Sequence, residues 1–453
     1  MSTRPLGASL FGFVIAFASV NPTPAHEIVG NRFFPATLTI DDPGVNDELS
    51  LPTVDSFKTG DVPPVRQRDV SADFSKRITE DFAVSLGSTY TFLSPIDPTA
   101  AGANGFQNLD TTFKYRLFRD PEHEFVLSAG LSIEWGGTGA ANVGADPFNT
   151  YTPMVWFGKG LGDLPDTLSW LRPIAITGQF GYAIPGRNST TTFSIDPDSG
   201  ELTADTEFHP RVLNWGGTIQ YSMPYLKSAV IDLGLPEFIN HLIPLVEANL
   251  QTPVANTLTS GRVTTGTISP GVLWVSNKFQ LGVEALIPIN RQSGTNIGVI
   301  AQLHFYLDDI DPHGIGKPIF GGPVQPASPF PRKMTMRCSS LVGVTALSLV
   351  LATGAAQAHA FLDHAEPRVG NKLASPPHEV TLWFTQKLEP AFSSVTVTGP
   401  AGQRLDAGKP RVNGNEISVS LRPGGTGTYR VNWRVLSVDT HTTNGNFTFQ
   451  VGQ

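Results

Sequence analysis

Leu109-Asp-Thr-Thr-Phe-Lys-Tyr-Arg-Leu117 and, past the turn Arg119-Asp-Pro-Glu122, Phe125-Val-Leu-Ser-Ala-Gly-Leu-Ser-Ile-Glu-Trp135 decide how most of this chain folds. In the first run Leu109, Thr111, Phe113, Tyr115 and Leu117 share one face, while Asp110, Thr112, Lys114 and Arg116 share the other. In the second, Phe125, Leu127, Ala129, Leu131, Ile133 and Trp135 alternate with Glu124, Ser128, Ser132 and Glu134. A period of two predicts strands with one apolar and one polar face. Soluble sandwiches turn the apolar face inward, whereas membrane barrels turn it outward to lipid.

Working outward, the same period recurs in Ile174–Ile184 and Leu213–Met223. It returns in Phe279–Ile287, with Gln280, Gly282 and Glu284 interleaved, and in Ile297–Phe305, with Gly298, Gln302 and His304 interleaved. Runs of about ten residues suit a tilted membrane strand. Tyr115, Trp135, Trp156, Tyr182, Tyr221 and Trp274 stand at many strand ends, as interfacial aromatic girdles require. Short turns alternate with longer polar connections at 97–105 and 188–205. Residues 26–310 are therefore expected to form an all-β, antiparallel transmembrane-type barrel of about ten to twelve strands. Asp110, Lys114, Arg116, Glu124 and Glu134 are expected to face its lumen, and residues 26–62, without clear periodicity, read as an extended lead-in. A soluble β-sandwich adhesion module is the alternative. The stretch Val65–Phe82, running into Ser85–Phe92, resembles the early strands of outer-membrane channels related to phenol meta-pathway proteins. That resemblance implies passage or adhesion rather than chemistry.

Composition agrees with a chain of strands and turns: among 453 residues, 15% are charged, 45 are Gly and 37 are Pro. A net charge of -8 argues against nucleic-acid binding, which needs a basic face. The one cysteine, Cys338, excludes a disulfide framework. Metalloprotease, nucleophile-elbow and phosphate-loop patterns are missing from the first half, so no enzyme is expected there.

Residues 311–333 form a Pro/Gly linker, after which the strand pattern is interrupted. Arg332-Lys-Met-Thr-Met-Arg337 leads into an apolar run and then Ala-Thr-Gly-Ala-Ala-Gln-Ala358. A basic start, a short apolar core and an Ala-x-Ala end describe a secretory signal, here residues 334–358. Residues 1–25 read as another. Two exported proteins thus share one chain, and each is expected outside the cytoplasm of a Gram-negative bacterium.

The second protein, 359–453, shows strand-like runs at Val380–Thr385, Ser394–Thr398, Ile417–Leu421, Thr428–Leu436 and Asn446–Val451, the spacing of a small Greek-key sandwich or barrel. Asp439 and His441 lie two apart, so on an extended strand they project to one side. His359, freed by cleavage, offers its α-amine and its imidazole. Together the three supply nitrogen and oxygen donors of the kind Cu(II) prefers.

Gly427-Thr-Tyr-Arg-Val-Asn-Trp-Arg-Val-Leu-Ser-Val-Asp-Thr-His441 and Gly445-Asn-Phe-Thr-Phe449 closely resemble the copper-resistance protein CopC family. His359-Ala-Phe-Leu-Asp-His-Ala-Glu-Pro367 resembles that family's mature start, and Leu382-Trp-Phe-Thr385 one of its strands. The resemblance implies a periplasmic copper carrier with His359, Asp439 and His441 as Cu(II) ligands. It also implies partners such as an inner-membrane copper importer or other copper-resistance proteins. Some members hold Cu(I) through methionines, but residues 359–453 contain none. His364 and His378 are expected in surface or packing roles, Trp383 and Trp433 in the core. A histidine-brace copper oxidase is the enzymatic alternative, and a non-enzymatic carrier is the expectation.

Overall fold

The computed structural model describes residues 28–95, 101–195, 202–257, 261–311, 314–320, 360–438 and 442–452. Both signal-type segments and Cys338 lie outside them. The first part is a ring of twelve antiparallel strands. They are β1 (Glu48–Lys58), β2 (Val65–Thr79), β3 (Phe82–Pro95), β4 (Leu109–Asp120), β5 (Phe125–Trp135) and β6 (Thr150–Gly160). Then come β7 (Ile174–Pro185), β8 (Arg211–Tyr221), β9 (Leu242–Ala255), β10 (Thr265–Val275), β11 (Phe279–Pro288) and β12 (Gly298–Tyr306). Each pairs with its sequence neighbour, and β12 returns to β1 through pairs such as Phe305 with Leu49. Closure leaves the twelve-strand ring without an unpaired edge.

The faces are distributed as lipid demands. Leu86, Phe180, Ile219, Val246, Leu281 and Val299 are exposed on the outside of the ring. Ser128, Glu247, Gln280, Glu284 and His304 are buried within it. Water would not select that inversion, so the ring is a membrane-type barrel rather than a sandwich. The alternation in β4 is as expected: Tyr115 and Leu117 are exposed, and Lys114 and Arg116 are buried. Asp110 also turns inward, toward Asp73. Glu134 accepts from Asn108 at 2.9 Å. Glu124 is buried in the β4–β5 turn rather than on the lumen wall.

Two further expectations about the barrel need correction. The extended lead-in 26–62 contains β1, the strand that closes the ring. Its period is broken by Pro52 and by a register shift between Ser50 and Thr53, so alternation alone does not reveal it. Trp156 belongs to no girdle. It is buried, and Lys114 Nζ stands 4.8 Å from its ring centre. Val155 already occupies the outward position of β6, and period two sends Trp156 inward.

The lumen is occupied by the chain's own residues 28–47. A hairpin of Ile28–Val29 and Arg32–Phe33 sits at the barrel's short-turn end. Phe34, Leu38, Ile40 and Val45 come next, all buried. Thr39 donates through its amide and its hydroxyl to Glu247 Oε2, each at 2.6 Å. Lys114 pairs with Asp41 at 2.7 Å and donates to the Asp42 carbonyl at 2.8 Å. Gly158 makes room, because a Cβ there would lie 2.9 Å from the Phe34 ring. Both ends of the segment are bolted. Arg32 Nε meets Glu124 at 3.2 Å, and Asp47 accepts from the Arg77 amide and Nε at 2.7 and 2.8 Å.

The second part is a small sandwich of two four-stranded sheets. Its strands are β13 (Leu362–Glu366), β14 (Lys372–Leu373), β15 (Glu379–Phe384), β16 (Ser394–Thr398), β17 (Asp406–Asn413), β18 (Glu416–Leu421), β19 (Gly427–Leu436) and β20 (Thr442–Val451). One sheet has the order β13-β15-β18-β17 and the other β14-β20-β19-β16. Leu382, Phe384, Val397, Val431, Phe447 and Phe449 fill the space between them, each contributing roughly 1.5–3 kcal/mol by leaving water. Strand β17 is not legible in the sequence: its Gly408 and Pro410 suit only an edge, which is where it lies. Trp433 packs edge-on against Phe384 as expected. Trp383 does not join the core; between buried Leu382 and Phe384 it points outward, stacking on His364.

Candidate metal centre

His359, Asp439 and His441 lie outside the described residues, so the site is built from the chain that adjoins them. Ala360 is fully buried, and its carbonyl accepts from Thr443 Oγ1 at 2.7 Å. Phe361 donates its amide to Thr385 Oγ1 at 3.0 Å, and the Thr385 amide returns to the Phe361 carbonyl at 2.9 Å. These bonds fix the backbone after His359 between the end of β15 and the start of β20. The approach to Asp439 is fixed as firmly. Ser437 bridges to Leu388, and the Val438 amide donates to the Lys387 carbonyl at 3.0 Å. A residue next to one predicted ligand is thus one hydrogen bond from the strand that starts immediately after another.

His364 stands aside from that junction. Its ring lies 4.5 Å from the Trp383 ring, nearly parallel at 8°, and its Nδ1 is 2.8 Å from Asp363. His378 is exposed just before β15. Both fit the surface or packing roles expected. Among the described residues no three His, Cys, Asp or Glu side chains gather as a metal cluster. Sequence reasoning missed Thr443, since nothing in a Thr-Thr pair at a strand start signals a bond 83 positions back.

Replacing Thr443 by valine keeps the shape and removes the donor to a buried carbonyl. The expected cost is about 1–3 kcal/mol, measured by urea unfolding of the chain, with Thr443→Ser close to the parent. Equal stability of the valine variant would mean that the bond does not hold the segment.

The domain is thus a small β-sandwich of two four-stranded sheets, with Ala360, just ahead of its first strand, tied to the start of its last strand. Residues 362–452 match the sequence family described as CopC domain. Copper resistance protein C from Xanthomonas campestris pv. juglandis is 36% identical over 117 residues, covering 24% of this chain and 91% of that protein. Protein YobA of Escherichia coli K12 is 34% identical over 112 residues, covering 23% of this chain and 88% of the relative. Through this domain the chain belongs to the CopC family. For the barrel, a solved COG4313 outer membrane channel from Pseudomonas putida F1 aligns with a TM-score of 0.35 and 12% identity, over 60% of this chain and 99% of that one.

Proposed function

We propose that residues 359–453 are a periplasmic Cu(II) carrier without catalytic turnover, completed when the Ala358–His359 bond is cut. The observation that carries this reading is the Thr443–Ala360 bond, which ties the residue after His359 to the strand that begins after His441. A free His359 supplies its α-amine and imidazole, His441 a third nitrogen and Asp439 an oxygen. That donor set suits the tetragonal geometry of Cu(II). The domain has neither Met nor Cys, so the soft ligands that favour Cu(I) are missing. Relatives named copper resistance protein C support the same cargo. An inner-membrane copper importer or other copper-resistance proteins are the fitting partners.

The barrel half is read as an outer-membrane channel of a Gram-negative bacterium, with its outward apolar belt in lipid and residues 28–47 narrowing its lumen. N-terminal sequencing of the exported product, followed by Cu(II) titration, tests the carrier. The expected result is a chain starting at His359 that takes up one equivalent of Cu(II). It should show no copper-dependent turnover of ascorbate or peroxide. A product that retains Ala358, or one that binds no copper, sinks the assignment.

A further inference from the structure

At the barrel's short-turn end the connections β2–β3, β4–β5 and β10–β11 are tight, yet β8 and β9 are joined by residues 222–241. That connection carries short helical turns at Met223–Tyr225, Leu226–Val230 and Glu237–Asn240. It lies against the C-terminal sandwich. Lys227 Nζ is 3.3 Å from Glu237 on its own loop and 3.2 Å from Asp363 on β13. The Asp232 amide donates to the Val369 carbonyl at 3.0 Å. Gly370 permits the approach, because a Cβ there would stand 2.7 Å from the Val230 carbonyl oxygen. Between the two parts remains a cleft of about 560 Å³. Phe361, Leu362 and Thr442–Gly445 line it, so the backbone adjoining the predicted copper ligands opens onto this space.

We propose that the β8–β9 connection is a docking surface for the chain's own CopC domain and holds that domain at the barrel's short-turn mouth. The partner's chemistry is specific: a carboxylate at Asp363 to share Lys227, and a carbonyl on a glycine-flanked turn at Val369. Docking does not depend on copper. Its persistence as an association of two products does rest on cleavage of the Ala358–His359 bond.

Asp363 also gives the dock a pH dependence. Burial works against its ionisation, but the His364 hydrogen bond and the Lys227 charge hold its carboxyl below the usual range. Glu237 is likewise lowered: burial opposes ionisation, while the His241 hydrogen bond and Lys227 outweigh it. The groups facing Asp363 are therefore Lys227 and His364, with Glu237 sharing the lysine. Of these, the Lys227 contact is the one that crosses between the two parts. Only the Lys227 share of that lowering comes from docking, so its contribution is present while Asp363 is ionised and is lost as falling pH protonates the carboxylate.

Cross-linking of the full chain in detergent tests this, with Cys338 replaced by serine and cysteines introduced as Asp232→Cys and Arg368→Cys. A short bismaleimide should join this pair at least several-fold more efficiently than Asp232→Cys with Lys409→Cys, on the edge strand β17. Asp363→Lys should lower the yield several-fold, and Lys227→Glu combined with Asp363→Lys should restore it. Equal yields from the two cysteine pairs, or no effect of Asp363→Lys while the barrel keeps its heat-modifiable migration, overturns the dock. Because Asp363 lies in the sandwich, that variant leaves the barrel's own contacts intact. Where sequencing shows the chain uncut, cross-linking still reads docking, so the two proposals fail separately.

Discussion

Arg32→Ala is expected to lower the stability of the barrel by about 3–5 kcal/mol, the usual consequence of stripping one partner from a buried ion pair. Arg32 is fully buried, and its guanidinium does four things at once. It pairs with Glu124 at 3.2 Å, donates to the Pro173 carbonyl at 2.9 Å and to the Arg172 carbonyl, and lies 3.9 Å above the Tyr225 ring. Glu124 would keep only neutral donors, the Tyr225 hydroxyl at 2.8 Å and the Gly162 amide at 3.1 Å. Burial, then the Glu124 charge, pushes the Tyr225 hydroxyl up, so it stays a neutral donor and cannot replace a cation. The measurement is the temperature at which the folded band converts to the unfolded one in electrophoresis. Arg32→Met with Glu124→Gln should recover much of the loss, because both charges then leave together. A single variant that melts like the parent would show that the latch does not hold the lumen segment.

The second large effect concerns copper. His441→Ala is expected to weaken Cu(II) binding by more than about a hundredfold, since even outer-shell partners of metal ligands cost 10–100-fold. Blocking the cut, for example with Ala358→Asp, removes the free amine of His359 and should weaken binding at least about tenfold while leaving the fold intact. Competition titration gives the affinities, and electron paramagnetic resonance counts the nitrogens. Loss of nitrogen coupling in both variants fits the donor set. Unchanged spectra in His441→Ala would move the site elsewhere.

Much of the barrel can be read from residues alone. β4 and β5 alternate over most of their length because successive residues turn to lipid and to the lumen; the count slips only near the end of β4, where Leu117 and Phe118 are both exposed. β1 cannot be read this way, since a proline and a register shift interrupt the count. Nor can the lumen segment: Phe34, Leu38 and Ile40 are buried by a wall that a linear reading does not contain. Trp156 shows the complementary limit. An aromatic at a strand end suggests a girdle, but only the parity of its neighbours tells which side it takes. In the sandwich, the strands in the core are legible and the edge strand β17 is not. The ligand trio is legible as a motif, while the Thr443 tether that supports it depends on folding and leaves no local pattern.

The seam between β1 and β12 also dictates an order of events. Its pairs, such as Ser56 with Val299, join residues almost the whole barrel apart in sequence, and contacts of that span form late. A closed ring admits chain only through its mouths, yet residues 28–47 enter and return at the same end and are gripped from several strands at once. Threading them afterwards would mean dragging Asp41 and Asp42 through a finished lumen without their partner Lys114. The assembly is better pictured as a sheet curling round a rope already laid across it. The earliest residues of the described chain are then enclosed by the last strand of the barrel to arrive.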